Sequence, residues 1–416
     1  MLSTVITVYT LYFLLKLYVS VMQIGYINNT RCGRPVLMGS ADFMKAANYA
    51  AAKEKLSMVS SAVEYILFLG WLSLGITWLE EATLFAEGGF KAVVMVLGFI
   101  LINGVLTWPL EWYGKFVVDG AYGFNRSTPG LFVKDTLIAT LLTLLFGGAV
   151  TWGVYVIMQS TAMWWLWSFL FIFAVIVVIN MLFPTIRALF FDKVTPLDDP
   201  ELSGKIEELM AKTGFQSSGV FVSDASKRDT RLNAYFGGLG KTKRVVLFDT
   251  LLKKLTHQEL LAVLGHELGH FAHGDIYKNI GMLGAMLLGM FALFGNLPEL
   301  LFLELGVAAS PAVVMILFLL LMPVLGFIMM PLIGVVSRRN EYAADRTGAE
   351  LGGGLYLAEA LKKLVTENKS YPLSHPLYIF FYYTHPPVLE RLKALGQGVD
   401  APDEAGLEGP CPTDER

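Results

Sequence analysis

Seven stretches of this chain, at about residues 1–23, 59–84, 92–113, 136–159, 161–190, 279–303 and 311–335, are apolar and long enough to cross a bilayer. A hydrocarbon core ~30 Å thick needs about 20 residues of helix, whereas a barrel strand needs only about 10. Runs of this length therefore predict a mainly α integral membrane protein, in which each helix satisfies its own backbone polar groups. Composition agrees: 55% of residues are hydrophobic and 16% charged, against about a quarter charged in a soluble domain. The first stretch lacks a basic start and a small-residue cleavage site, so it reads as a retained span.

The loops alternate in charge. Residues 24–58 carry Arg31, Arg34, Lys45, Lys53 and Lys55, and the loop after span 3 carries Lys115, Arg126 and Lys134. The segment 191–278 holds a dozen Lys and Arg, and Arg338 and Arg339 follow span 7. The turns after spans 2, 4 and 6 contain one basic residue, Lys91, beside Glu80, Glu81 and Glu87. Positive charge marks the cytoplasmic side, which puts the N-terminus outside and the C-terminus inside. Seven spans fit that alternation; six or eight would break it. Short termini with no retrieval signal point to a prokaryotic cell membrane, or to the endoplasmic reticulum membrane in a eukaryote. Net charge is -3, which provides no field for a nucleic-acid partner.

The chain thus divides into 1–190, spans 1–5 with their cytoplasmic loops; 191–278, a first aqueous part; 279–335, spans 6–7; 336–396, a second aqueous part; and 397–416, a disordered acidic tail. The first aqueous part reads as mixed α/β, with a charged helix at 200–212, strands at 219–223, 232–238 and 244–249, and a helix from Thr256. The second reads as helical, broken at His385-Pro386-Pro387. Within the spans, Glu64, Asn103 and Asn180 are costly facing lipid; Glu64 reads as interfacial, near the start of span 2.

One aqueous stretch, VLGHELGHFAHGD (263–275), gathers three of the six histidines. His266 and His270 are four apart and share a helix face. Glu267, offset by one, falls beside the open position of an ion held between them. This is the His-Glu-x-x-His spacing of zinc peptidases: two imidazole ligands and a general base for water. The competing reading is a pair of structural histidines on an amphipathic helix. A catalytic zinc site takes a third protein ligand. His273 lies about 10 Å along the axis from His266, too far to join, and is read as packing or hydrogen-bonding behind the ligands. Glu341 and Asp345 in SRRNEYAADR (337–346) are four apart just beyond span 7. One can ligate while the other holds an imidazole by its outer nitrogen; alternatively both are solvated helix charges paired with Arg338, Arg339 and Arg346. Position favours the former, because 191–278 and 336–396 flank the 6–7 hairpin and emerge on one side. Cys32 and Cys411 are too far apart for a Cys-x-x-Cys site.

Further motifs run along most of the chain: YGFNRST (122–128), PLDDPEL (196–202), SKRDTRLNAYFGG (226–238), KRVVLFDTLL (243–252), SRRNEYAAD (337–345) and THPPVLERL (384–392). Together with HELGH (266–270) they resemble the zinc-dependent CAAX prenyl protease 1 family of seven-span endopeptidases. The shorter bacterial heat-shock membrane proteases share the zinc motifs, but the GFNRST region is similar to the prenyl protease branch. The resemblance implies one Zn²⁺ held by His266, His270 and Glu341, with Glu267 activating water. It also implies that Asn233 binds the substrate backbone, that His385 donates to the oxyanion, and that Asp345 orients a ligand histidine while Arg391 pairs with a nearby carboxylate. The implied fold is seven helices enclosing a water-filled chamber, capped on the cytoplasmic side by a small α/β, gluzincin-like protease domain. The implied activity is release of the last three residues after a prenylated cysteine, with lipidated peptides and membrane lipids as partners. Two other functions compete: a membrane quality-control protease indifferent to prenylation, and a non-catalytic transporter or lipid-binding scaffold. The intact Glu267 argues against the scaffold.

Overall fold

In the computed structural model of this chain, which describes residues 1–215, 217, 219–237 and 244–398, seven helices are long and apolar enough to span a membrane. They are α1 (Leu2–Thr30), α2 (Ser40–Ala82), α3 (Gly88–Ala121), α4 (Pro129–Ser160), α5 (Trp164–Phe190), α9 (Asp275–Phe294) and α11 (Pro311–Gly352). Two begin on a side-chain cap followed by proline, Thr128-Pro129 and Ser310-Pro311, the pairing that suits a first turn. The predicted acidic tail lies, from residue 399 on, outside the described residues.

Helix ends differ from the hydropathy limits for a physical reason. Apolar runs mark what sits in lipid, whereas a helix continues until something breaks it. Thus α2 starts nineteen residues before the apolar run at 59, through a charged segment with no breaker. Helix α11 runs unbroken for 42 residues, about 63 Å, and carries the 336–352 segment out of the bilayer as part of span 7. The sixth run behaves oppositely. Gly295 to Pro298 ends α9, and the remaining apolar residues fold as a separate short helix, α10 (Glu299–Leu305). The N-terminal ammonium lies 3.0 Å from Glu304 on α10, so the chain start and the 6–7 turn share one face.

Between 6% and 39% of each apolar window is buried inside the protein. The helices therefore pack at limited crossings, such as the cluster of Trp71, Phe99, Phe294, Phe302 and Ile316. Two polar pairs join the spans: Lys16 with Glu64 at 3.3 Å, and Trp71 Nε1 with Asn103 Oδ1 at 3.2 Å. Glu64 is thus matched by a charge on α1, five residues into the apolar run that begins at 59.

Between α5 and α9 the chain forms β1 (Val194–Pro196), α6 (Pro200–Lys212), β2 (Val220–Ser223), β3 (Ala234–Gly237), β4 (Arg244–Phe248), α7 (Asp249–Lys254) and α8 (His257–Ala272). The strand order is β1-β2-β4-β3, with β2 and β4 parallel and the outer pairs antiparallel. Beyond α11 follow α12 (Gly354–Glu367), α13 (Pro376–Tyr382) and α14 (Val388–Ala394). Ile206 and Leu209 of α6 pack with Val245 and Leu247 of β4, Leu260 and Leu264 of α8, and Ala360 of α12. One core therefore joins the segments before span 6 and after span 7.

Candidate active site

Helix α8 is set at its start by a reciprocal cap. Thr256 Oγ1 accepts from Glu259 N–H, and Glu259 accepts from Thr256 N–H at 2.8 Å. Lys363 of α12 lies 2.8 Å from Glu259 and ties down the same end.

What brings α8 onto α11 is a seam of small residues. A Cβ on Gly352 would lie 2.3 Å from Ala262 Cα, one on Gly348 2.9 Å from the His266 nitrogen, and one on Gly269 3.1 Å from Ala344 Cα. Backbone meets backbone there, as small residues four apart allow. The spacing Ala344-x-x-x-Gly348-x-x-x-Gly352 is visible in the sequence, but nothing local to it says which surface it faces.

At that seam His266, His270 and Glu341 each offer a ligand atom, all within 4.8 Å of one another. Glu341 is 2% exposed and His266 6%. His270 Nε2 lies 3.2 Å from Glu341 Oε1 and His266 Nε2 3.6 Å from Oε2. The outer nitrogens are held by carboxylates: His266 Nδ1 by Asp345 and His270 Nδ1 by Asp275, each at 2.9 Å. Arg391 donates two hydrogen bonds to Asp345, at 2.8 and 2.7 Å. Glu341 Oε2 is buried and accepts no hydrogen bond among the described residues, although Arg391 Nη1 comes to 3.4 Å. Such an orphaned oxygen beside the His266 imidazole, on a carboxylate whose other oxygen meets His270, fits a cation. Burial disfavours a proton on His270, yet its bonds to Glu341 and Asp275 outweigh that and push its pKa up to about 9. An arriving ion must displace that proton.

The Peptidase family M48 profile matches residues 196–398, and that of the CAAX prenyl protease N-terminal region, described as five membrane helices, matches residues 36–193. The CAAX prenyl protease 1 homolog of Oryza sativa subsp. japonica is 30% identical over 95% of this chain and 97% of its own. The chain belongs to the CAAX prenyl protease 1 family. CAAX prenyl protease 1 of Saccharomyces cerevisiae is 31% identical over 91% of each chain. The crystal structure of S. mikatae Ste24p matches with a TM-score of 0.86 at 26% identity, over 94% of this chain and 97% of that one. As a family member, this protein is a multi-pass membrane metalloendopeptidase acting on peptides.

The other residues singled out in this CAAX prenyl protease 1 family member occupy varied places. Glu267 is partly buried on α8 and makes no hydrogen bond or ion pair among the described residues. His385, with a 65% exposed side chain, lies 2.8 Å from Glu341 Oε1 through Nδ1. Asn233 precedes β3, which pairs only with β4 among the described residues and so leaves an open edge. Its Oδ1 accepts from Ala234 N–H. His273 is exposed and reaches Thr347 at 3.4 Å, not either paired imidazole, since two helical turns separate it from His266. The YGFNRST and SKRDTRLNAYFGG motifs meet directly. Asn125 and Asp229 form a β-bridge, and Thr230 N–H donates to Phe124 O at 3.1 Å.

Asp275 was missed, though it ends the quoted histidine stretch. Five residues from His270 it would point away on a continued helix. Gly274, at φ 67°, reverses the chain and swings it back, a backbone conformation that glycine takes without strain.

Proposed function

We propose that this protein cleaves C-terminal peptides at the bond after a prenylated cysteine, releasing three residues, with Zn²⁺ held by His266, His270 and Glu341. The observation that carries this reading is the buried triad with its unsatisfied Glu341 oxygen. Two imidazoles and one carboxylate suit zinc with an open position, and zinc supplies Lewis acidity and a lowered pKa for water. Glu267, next along the helix and free of partners among the described residues, takes the proton from the attacking water at a carboxylate oxygen and passes it to the leaving amine. His385 turns Nε2, which has no partner among the described residues, toward the developing oxyanion. Asn233 and the open edge of β3 hold the peptide as an added strand. Asp345 and Asp275 fix the imidazole tautomers, and Arg391 fixes Asp345.

A membrane enzyme suits this substrate because a prenylated peptide is already confined to the bilayer surface. The loop charges support a cytoplasmic protease domain with the N-terminus on the far side.

Purified protein should carry about one zinc per chain and cleave a farnesylated peptide about tenfold or more faster than its unlipidated twin. Equal rates would favour quality-control proteolysis; neither zinc nor cleavage would overturn the reading. Arg391→Met should weaken zinc binding about 10–100-fold in chelator competition. Unchanged affinity would remove Arg391 from the support of the site.

A further inference from the structure

A cavity of about 370 Å³ lies where α1 and α2 meet the chain after α12. A second, of about 260 Å³, shares Ser370, Tyr371 and Tyr383 with it and continues along Thr384 and His385. His385 in turn touches Glu341, so the second cavity leads from the triad to the first.

That cavity is lined by three cations, Lys53, Arg231 and Lys369. Arg231 is engaged by Asp119 at 2.7 Å and Asp229 at 2.6 Å. Lys53 and Lys369 pair with no carboxylate among the described residues; their ammonium groups rest on the rings of Tyr49 and Phe124, 5.6 and 4.2 Å from the centroids. The one lining acid, Glu54, accepts from Ser20 at 2.5 Å and Tyr378 at 2.9 Å and is satisfied without them.

Lys369 also stands in an unusual backbone position. Its φ is 45°, and Leu37 is the only other non-glycine with positive φ among the described residues. It follows the Asn368 cap of α12, where a left-handed residue ends the helix and glycine is the ordinary choice. A lysine kept where glycine would be unstrained indicates use for its side chain. Asn368 beside it grips Leu232, accepting from its N–H at 2.8 Å and donating to its carbonyl at 3.2 Å. Leu232 immediately precedes Asn233, at the head of the open edge strand.

We propose that Lys369 and Lys53 bind the free C-terminal carboxylate of the peptide. This deepens the proposed function and rests on it. Three extended residues span about 10 Å, so a cationic stop one cavity from the triad sets the cut by distance from the chain end. A terminal carboxylate leaving water needs such a partner, and the two unpaired ammonium groups provide it.

The test uses full-length zinc-loaded protein and farnesylated peptides ending in either a carboxylate or an amide. Wild type should cleave the amide with kcat/KM lower by about 10–100-fold, mainly through KM, the size of a charge-assisted bond. Lys369→Gly, which the backbone accepts, should lower cleavage of the acid toward that of the amide and leave the amide unchanged. Lys53→Met should do the same in part, and Lys369→Arg should restore the preference. Equal cleavage of acid and amide by wild type would overturn the proposal while leaving the prenyl-peptidase reading intact. Failure to cleave either peptide would overturn that reading and this proposal with it.

Discussion

Glu267→Gln is expected to reduce peptide hydrolysis about 10³-fold while the protein retains its metal. Removing a positioned general base costs about 10²–10⁴ in rate. Glu267 makes no hydrogen bond or ion pair among the described residues, so its replacement by an isosteric amide removes none. The triad of His266, His270 and Glu341 is assembled without it. Metal analysis and a peptidase assay on one preparation separate the two effects. Retained metal with lost activity supports the base; activity within about tenfold of wild type would remove Glu267 from the chemistry.

The second large effect is expected from one methyl group. Gly348→Ala puts a carbon 2.9 Å from the His266 nitrogen and 3.0 Å from its Cα and Cβ. Backbone cannot yield as a flexible side chain can, so α8 and α11 must separate. Overpacking of this kind costs about 1–3 kcal/mol, and a site displaced by about 1 Å can lose ~10²-fold in rate. Zinc occupancy and thermal stability should fall together. Gly326→Ala on the same helix is the comparison, because nothing lies within 4 Å of its added carbon. It should leave metal content and activity unchanged. Full zinc occupancy and activity in Gly348→Ala would show that the close seam does not hold the triad together.

These two residues illustrate what could be read from the chain alone. Glu267 was legible because the i, i+4 pair around it is a local pattern that any helix displays on one face. Gly348 lies in an equally regular pattern, but small residues four apart acquire meaning only when the opposing surface is known. Asp275 was hidden by its spacing: five residues from His270 is off the helical face until the left-handed Gly274 turns the chain. Lys369 could not have been singled out at all, since its left-handed backbone and the seat of its ammonium over the Phe124 ring exist only in three dimensions.

Hydropathy alone determined the number of crossings and the mainly helical membrane fold, because lipid accepts no other use of seven such runs. It could not determine where α2 and α11 end, nor that the sixth run divides at Gly295 to Pro298. Only tertiary structure decided which carboxylates face the two imidazoles and, among the described residues, which strand edge stays open and which cations lack a carboxylate partner. Those depend on backbone reversals and on helices distant in sequence touching at glycine, and no local pattern encodes the distance between them.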